Sequence, residues 1–202
     1  MIVATDLEGV LIPEIWVEVA ERLALEDLRI TTREEPDFEK LMKRRIEILQ
    51  RAKVGLPDIQ RIAHNVLPFP GATEILAWLA RRGQLLIISD TFHELSDPVV
   101  ERLGRYNLFA NRFRVGEGGR IEGVQLRIRG MKVSITRAFR ELGFTITAIG
   151  DSSNDHTMLE DATVPILFNP TADLRRSLPQ APAVTNYVEL KNLIEKIEDE
   201  GP

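Results

Sequence analysis

The sequence contains no cysteine among its 202 residues. Disulfide bonds, zinc–thiolate centres and catalysis by a thiol are therefore excluded. No apolar run approaches the roughly 20 residues that a membrane-spanning helix needs. A first strand that is predicted to begin at Ile2 leaves no room for a signal peptide. We therefore expect a cytoplasmic protein with no membrane partner.

An excess of basic charge is also missing. Acidic residues number 31 against 26 lysines and arginines, so the formal net charge is −5, and the composition gives no support for binding nucleic acid through its phosphates. Five arginines nevertheless cluster around one predicted hairpin, namely Arg112, Arg114, Arg120, Arg127 and Arg129. A nucleic-acid patch and a solvated hairpin face are both open for them, and the acidic total favours the second.

Apolar segments bounded by turn residues alternate with amphipathic helical segments over most of the chain. The predicted strands cover residues 2–6, 84–89, 145–150 and 164–168. The predicted helices cover residues 72–80, 97–103, 131–142, 154–162 and 188–197. A short strand or connection at 108–111 leads into a hairpin around residues 116–119. This alternation predicts an α/β fold with a doubly wound, Rossmann-like parallel sheet.

The stretch from residue 12 to residue 67 departs from this alternation, because it shows only helical patterns. Three helices are predicted, over residues 13–25, over residues 38–51 and from Pro57 onward, and Pro68-Phe69-Pro70-Gly71 ends the stretch. It follows the first strand directly, where a short loop would suffice. We therefore predict a catalytic core of residues 1–11 and 68–202 with a helical cap, residues 12–67, inserted over the carboxyl edge of its sheet.

Acidic side chains follow two of the predicted strands. Asp6 and Glu8 come at the end of the first, and Asp151, Asn154 and Asp155 follow the strand at 145–150. Open α/β sheets bind ligands in the crevice outside the carboxyl ends of their strands, and carboxylate oxygens are the ligands that Mg²⁺ prefers. The two acid clusters therefore predict a Mg²⁺ site and point to phosphoryl transfer.

Two further groups fit that chemistry. Ser89 follows the apolar run 85–88, and Lys132 stands near the start of a predicted helix. One carboxylate can attack phosphorus and a second, two residues on, can exchange protons with the leaving group and the acceptor. A hydroxyl and a lysine can hold phosphate oxygens. Arg127 and Arg129 are alternatives to Lys132, and Ser89 alone would be an ordinary strand-end hydroxyl.

These residues form four motifs, namely Asp6-Leu7-Glu8-Gly9, Ile88-Ser89-Asp90-Thr91, Lys132 and Gly150-Asp151-Ser152-Ser153-Asn154-Asp155. In kind and order they resemble the motifs of the haloacid dehalogenase-like hydrolases, and within these the phosphoserine phosphatases. The bifunctional phosphoserine phosphatase/homoserine phosphotransferases are the most similar subgroup. They share the Asp-Leu-Glu-Gly-Val-Leu opening and two departures from the wider family, a glutamate at position 8 and an aspartate at position 90.

The resemblance implies a role for each motif residue. Asp6 would be the nucleophile and Glu8 the acid/base. Mg²⁺ would bind Asp6, Asp151 and the backbone carbonyl of Glu8, with Asp155 in support. The phosphate would be surrounded by Ser89, Asp90, Lys132 and Asn154.

The resemblance also implies an amino-acid pocket in the cap. Glu14 would read the substrate ammonium, Arg45 its carboxylate, and Phe38 would be a pocket aromatic. Arg44 adjoins Arg45, and all three residues also fit ordinary helix faces. The implied partners are a phosphoamino-acid substrate and an amino-acid or water acceptor. The alternatives are another small phosphomonoester substrate, and a catalytically silent module that binds a phosphorylated metabolite.

Overall fold

The computed structural model describes residues 1–32, 34–35 and 37–200 of the chain. These residues form a seven-stranded sheet with the order β4-β3-β2-β1-β5-β6-β7. The strands are β1 (Ile2–Thr5), β2 (Gln84–Phe92), β3 (Asn107–Val115), β4 (Ile121–Gln125), β5 (Ile146–Gly150), β6 (Val164–Phe168) and β7 (Ala183–Val184). All neighbouring pairs are parallel except β3 and β4. The predicted doubly wound α/β class is confirmed.

Helices connect the parallel strands. They are α1 (Ile15–Leu23), α2 (Phe38–Arg51), α3 (Leu56–Ala63), α4 (Ala72–Ala80), α5 (His93–Leu103), α6 (Met131–Glu141), α7 (His156–Asp161), α8 (Ala172–Ser177) and α9 (Tyr187–Glu200). Short 3₁₀ turns occur at Glu26–Arg29, Glu117–Gly119 and Ser153–Asp155. No helix in the described ranges combines the length and the apolar character that crossing a membrane requires.

The register of the central strands determines where the polar strand ends meet. Thr5, the last residue of β1, lies opposite Ile87 of β2 on one side and Ile149 of β5 on the other. The residues that follow these three positions therefore emerge at the same edge of the sheet. That edge receives the side chains of both acid clusters.

Two apolar layers cover the faces of the sheet. Val3 and Ile87 belong to the larger layer, which also contains apolar residues of α1 to α5, whereas Ile2 and Ala4 belong to a smaller layer with residues of α6 and α7. Successive strand side chains point to opposite faces, so uninterrupted apolar runs suit strands that are buried on both sides. Burial on both faces therefore explains the uninterrupted apolar runs of β1, β2 and β5.

The helical segment, residues 12–67, packs against the edge of the sheet that carries β4. The Gln50 amide donates to the Ile121 carbonyl at 3.0 Å, and the rings of Trp16 and Phe113 meet edge to face with centroids 6.5 Å apart. Trp16 and Phe113 also belong to one continuous apolar layer. The segment therefore shares its core with the sheet.

The start of α5 differs from the sequence prediction. The sequence predicted a helix over residues 97–103, yet α5 begins at His93 and contains Pro98 in its interior. A proline leaves the carbonyl four residues earlier without its helical donor. Here that carbonyl, of Glu94, accepts the side-chain amide of Gln60 at 3.1 Å. A long-range contact thus replaces the missing bond, and the local sequence does not reveal it.

Other elements also differ from the sequence prediction. Strand β2 continues to Phe92 through a register irregularity against β3, and β3 runs without a break from the predicted short strand into the hairpin. Helix α8 and the two-residue strand β7 were not predicted. Both are too short to show a periodicity in the sequence.

Candidate active site

Asp6 occupies the first position after β1, at the carboxyl edge of the sheet. Its side chain is 3% exposed. One carboxylate oxygen, Oδ1, accepts the backbone N–H of Leu7 at 2.7 Å, and the Asp6 N–H donates to the Ile149 carbonyl at 3.0 Å. These bonds fix the residue between β1 and β5 with Oδ2 directed at Lys132.

Lys132, the second residue of α6, is buried beneath this carboxylate. Its Nζ donates to Asp6 Oδ2 at 2.8 Å and to Asp155 Oδ1 at 2.6 Å, and it lies 3.9 Å from Asp90 Oδ2. Burial by itself lowers the pKa of Lys132, but Asp155 and Asp6 raise that pKa well above its ordinary value. The lysine therefore stays charged and can attract a phosphoryl group to Asp6.

Asp155 holds the loop that follows β5. Its Oδ2 accepts the backbone N–H groups of Asp151 at 2.9 Å and Ser152 at 3.2 Å, while its Oδ1 accepts from Lys132. Both oxygens of Asp155 are thus engaged in positioning its neighbours. Asp151, directly after β5, is buried beside Asp6.

The acids at this edge have the composition of a site for a hard cation. One carboxylate oxygen from each of Asp6, Asp151 and Asp155 lies within 4.8 Å of the other two. Three buried oxygen donors at this spacing fit Mg²⁺, which is bound through carboxylates and usually keeps several waters. Burial, followed by the neighbouring Asp155, raises the pKa of Asp6 well above its usual value, and a bound cation would favour its charged form.

Gly9 permits the close approach of the first and fourth motifs. Its φ is +80°, and a Cβ built on it would lie 2.4 Å from the carboxylate of Asp151. Any side chain at this position would displace that carboxylate. The glycine that follows Glu8 is therefore required by the geometry of the acid cluster.

Glu8 points at the amino terminus of α1. Its Oε1 accepts the backbone N–H of Ile15 at 2.8 Å, so a helix of the segment 12–67 orients a carboxylate that belongs to the first motif. Burial and the neighbouring Glu14 raise the pKa of Glu8 to about 8, against the opposing effects of the Ile15 bond and of Arg45. At neutral pH the group therefore carries a proton, which is the form that a general acid needs.

A small cavity of about 40 Å³ joins the strand ends to the helical segment. The predicted site residues that line it are Asp6, Glu8, Glu14, Phe38, Arg45, Ser89, Asp90 and Asn154. Lys132, Asp151 and Asp155 lie beneath it around Asp6. The structure therefore brings all the predicted site residues together, from five separate parts of the chain.

The second motif contributes polar groups to the wall of this cavity. Ser89 Oγ accepts the Thr91 backbone N–H at 3.4 Å. Asp90 Oδ2 accepts the amide of Asn154 at 3.4 Å, and Asn154 in turn accepts from the Ser152 hydroxyl. Asp90 thus holds Asn154 in place on the side of the cavity that faces Lys132.

Arg45, in the middle of α2, enters the cavity from the opposite side. It is 5% exposed, donates to the Ile30 carbonyl at 2.6 Å, and lies over the Trp16 ring with 4.5 Å to its centroid. Burial lowers its pKa to about 10, although Glu8 and Glu14 act in the other direction. The neighbouring Arg44 is exposed and pairs with Asp27 at 3.3 Å, so Arg45 is the arginine that faces the site.

Two more residues come from the helical segment. Glu14 occupies the amino-terminal cap position of α1 and leaves its side chain in the cavity. Phe38, the first residue of α2, lines the cavity and also stacks on Phe92 with ring centroids 6.3 Å apart. Phe38 therefore packs in the core, as an ordinary helix-face residue would, and also forms part of the cavity wall.

The hairpin arginines lie outside this cavity. Three of them pair with acids, Arg112 with Glu94 at 3.5 Å, Arg120 with Glu122 at 2.5 Å and Arg129 with Glu39 at 2.8 Å. Arg127 lies over the Phe109 ring instead. Lys132, rather than Arg127 or Arg129, is the cation that contacts Asp6.

Six residues that line the cavity were not among the predicted site residues, namely Trp16, Thr31, Thr32, Thr91, Phe92 and Ser152. Trp16 packs in the apolar core and also supports Arg45. Thr91 has the clearest signal in hindsight. It stands two residues after Ser89 in the same motif, and the Thr91 hydroxyl has no hydrogen-bond partner among the described residues.

Comparison with known proteins places this arrangement in context. A model of the haloacid dehalogenase-like hydrolase family matches residues 7–160. Phosphoserine phosphatase ThrH of Pseudomonas aeruginosa is 42% identical over 190 residues, which cover 94% of this chain and 93% of that protein. A phosphoserine phosphatase of Pseudomonas syringae pv. tomato is 44% identical over 190 residues, covering 94% of this chain and 80% of its own.

The fold has solved relatives as well. A phospho-aspartyl intermediate analogue of phosphoserine phosphatase superposes with a TM-score of 0.80 at 22% identity, over 95% of this chain and 97% of that one. At this identity the likeness concerns the fold alone. The sheet order and its helical layers are thus shared with a phosphatase structure.

Proposed function

The chain belongs to the haloacid dehalogenase-like hydrolases, and from this we propose that it transfers the phosphoryl group of phosphoserine to water or to homoserine. The transfer proceeds through an aspartyl-phosphate on Asp6 and requires Mg²⁺. The observation that carries the proposal is the buried contact of Lys132 with Asp6 and Asp155 at the floor of a cavity that also receives Glu8. The similarity to two enzymes named phosphoserine phosphatase supports the choice of substrate.

Mg²⁺ would be held by Asp6, Asp151 and the backbone carbonyl of Glu8. When bound, it neutralises negative charge between the carboxylates and the phosphoryl oxygens, which otherwise repel each other. Asp155 supports this site by holding the Asp151 and Ser152 backbone. Its engagement with two amides and Lys132 suits a positioning role.

Asp6 and Glu8 divide the chemistry of the first half-reaction. An Asp6 carboxylate oxygen forms a bond to phosphorus while the bond from phosphorus to the serine oxygen breaks. Glu8 gives its proton to that departing oxygen, and the elevated pKa supports its being protonated beforehand. In the second half-reaction Glu8 takes a proton from the acceptor, whose oxygen attacks phosphorus and restores the free Asp6 carboxylate.

Lys132, Ser89 and Asn154 stabilise the phosphoryl group during transfer. Lys132 supplies a fixed positive charge, and the hydroxyl and amide supply hydrogen-bond donors in a site from which water is largely excluded. Asp90 acts on the phosphate through Asn154 and Lys132, because its own carboxylate is already paired toward these residues.

The amino-acid half of the substrate would lie toward the helical segment. Arg45 binds the carboxylate, Glu14 binds the ammonium and Phe38 forms a wall. We further propose that residues 12–67 form a cap domain over a core of residues 1–11 and 68–202. The cavity of about 40 Å³ has room for little more than a water or two. The cap must therefore open to admit phosphoserine and close again to exclude bulk water.

Product analysis tests this proposal directly. The enzyme is incubated with phosphoserine and Mg²⁺, with and without homoserine, and products are identified by ³¹P nuclear magnetic resonance. Phosphohomoserine formed only when homoserine is present supports transfer, and inorganic phosphate alone supports hydrolysis. An enzyme that turns over other small phosphomonoesters but leaves phosphoserine unchanged would refute the assigned substrate.

A further inference from the structure

The Thr91 side chain is a buried polar group that the proposed reaction does not use. It is 3% exposed, it lines the catalytic cavity, and its hydroxyl has no hydrogen-bond partner among the described residues. A buried hydroxyl normally finds a partner, because leaving it unsatisfied costs free energy. A hydroxyl kept unpaired in this cavity therefore indicates a partner that arrives with the ligand.

A second unpaired donor lies in the same cavity. Arg45 uses its terminal nitrogens on Ile30 and Met42, but its Nε is buried without a partner among the described residues. Both Arg45 Nε and the Thr91 hydroxyl can donate a hydrogen bond. Two unsatisfied donors that border one small cavity call for a ligand group with several acceptor lone pairs, and a carboxylate has this character.

The position of Thr91 along β2 indicates which half of the substrate it meets. Ser89, beside Asp6, is assigned to the phosphoryl group. Thr91 lies two residues further along β2, in the stretch where the register against β3 shifts, and both residues line the cavity. In phosphoserine the ester oxygen, Cβ and Cα separate the phosphorus from the carboxylate carbon. A hydroxyl displaced from the phosphoryl site in this way meets the amino-acid half.

We propose that Thr91 is a substrate-binding residue whose hydroxyl donates a hydrogen bond to the carboxylate of the amino-acid substrate, together with Arg45. The inference deepens the proposed function and rests on it. It assigns part of the substrate specificity to a strand of the core, in addition to the helical segment. It also gives the second motif two tasks, with Ser89 serving phosphate and Thr91 serving carboxylate.

The test replaces the hydroxyl with a methyl group of similar size. For Thr91→Val we expect kcat/KM for phosphoserine to fall roughly 10-fold or more, the loss expected for a hydrogen bond to a charged group. Turnover of phosphoethanolamine, which lacks the carboxylate, stays within about 2-fold of the wild type. The Tm of the ligand-free variant is equal to or higher than that of the wild type, since an unpaired buried hydroxyl is removed. Thr91→Ser, which keeps the hydroxyl, retains most activity with phosphoserine.

Thr147→Val provides the matched control. Thr147 is another buried threonine, in β5, whose hydroxyl contacts only a methionine sulfur at 3.7 Å among the hydrogen bonds of the described residues. Replacement of Thr147 by valine should leave the turnover of both phosphoserine and phosphoethanolamine unchanged. Unchanged phosphoserine kinetics in Thr91→Val, or an equal loss with both substrates, would overturn the inference while the proposed function stands. A wild-type enzyme that does not turn over phosphoserine would overturn both.

Discussion

Asp6 is the residue on which the proposed chemistry depends, and its surroundings allow a clean test. We expect Asp6→Asn to lower kcat by about 10³-fold or more, because an amide does not form the phosphorylated intermediate. The fold should persist, since Lys132 keeps its bond to Asp155 and the new side-chain amide oxygen at position 6 can still accept a hydrogen bond from Lys132. Steady-state kinetics and thermal melting measure the two effects. A variant with turnover near that of the wild type would rule out Asp6 as the nucleophile.

Arg45 and Arg44 form a natural pair for testing the amino-acid pocket. Arg45→Ala should reduce kcat/KM for phosphoserine roughly 10- to 100-fold, the range expected when a hydrogen bond to a charged group is lost. Arg44→Ala should change it by less than about 2-fold, because exposed ion pairs such as Arg44–Asp27 contribute little.

Comparing the two variants distinguishes a loss of substrate-carboxylate binding by Arg45 from a general destabilisation of α2. Arg45→Ala also removes packing on Trp16, so thermal melting accompanies the kinetics. If both arginine variants behave alike on phosphoserine, Arg45 does not read the carboxylate.

For individual residues, the sequence indicates which side chains belong to the motifs but not which other side chains surround them in the cavity. The proximity of Asp6, Glu8, Asp151 and Asp155 could be predicted, because acids at strand ends meet at one edge of a parallel sheet. Thr91 could not, because the absence of a hydrogen-bond partner is a property of the folded neighbourhood. The choice of Arg45 over Arg44 needed the helix phase, which sequence patterns leave uncertain by a residue or more.

Among the structural elements, the turn after β1 links backbone conformation to the proposed metal site. Gly9 and Gly118 both have positive φ, +80° and +66°, but only Gly9 faces another group at the position of a Cβ. Alanine at either position costs about 1–2 kcal/mol of folding free energy from the left-handed backbone. Only Gly9→Ala should also displace Asp151 and so raise the Mg²⁺ concentration needed for half-maximal activity, by roughly 10-fold or more.

Measuring the Mg²⁺ dependence of activity and the Tm of both variants checks this expectation. Gly118→Ala measures the folding free energy lost through the left-handed backbone alone. Any additional increase in the Mg²⁺ requirement of Gly9→Ala then reports on the displacement of Asp151. Identical Mg²⁺ requirements in the two variants would show that Asp151 does not take part in metal binding.

The elements also show where sequence patterns stop being informative. Helix α2 was predicted at its observed limits, because its amphipathic periodicity spans 14 residues. Strand β5 was predicted within one residue of its observed limits, because it is a continuous apolar run bounded by turn residues. The start of α5 was predicted wrongly, because the bond from Gln60 to the Glu94 carbonyl compensates for Pro98. That contact joins residues far apart in the chain and has no local signature.

For the whole molecule, the order of the strands explains why the sequence pattern predicts where these polar residues meet. Alternating strands and helices imply a parallel sheet, and β1 between β2 and β5 brings three polar loops together. The size of the cavity beneath the helical segment was beyond such reasoning. It depends on how Glu8, Arg45 and Phe38 pack across the boundary between two parts of the chain.

The charge balance of the folded molecule leads to a last prediction, on Mg²⁺ and stability. Asp6, Asp151 and Asp155 cluster together, and the buried Lys132 contacts two of them, Asp6 and Asp155. Burial, and then repulsion from Asp155 and Asp151, raises the pKa of Asp6 even though Lys132 opposes the shift. The metal-free fold is therefore strained electrostatically, and Mg²⁺ should raise Tm by binding the native state.

A ligand at 100 times its dissociation constant adds about 2.7 kcal/mol to the free energy of unfolding, so the shift should be readily measurable by calorimetry. Asp151→Asn should melt at the same or a higher temperature than the wild type without metal, because it removes one of the repelling charges, and should gain little from Mg²⁺. Asp27→Asn, which alters an exposed ion pair, should retain the full Mg²⁺ response. If Asp151→Asn were stabilised by Mg²⁺ as strongly as Asp27→Asn, the cation would bind elsewhere, and the buried acids would have to be explained by Lys132 alone.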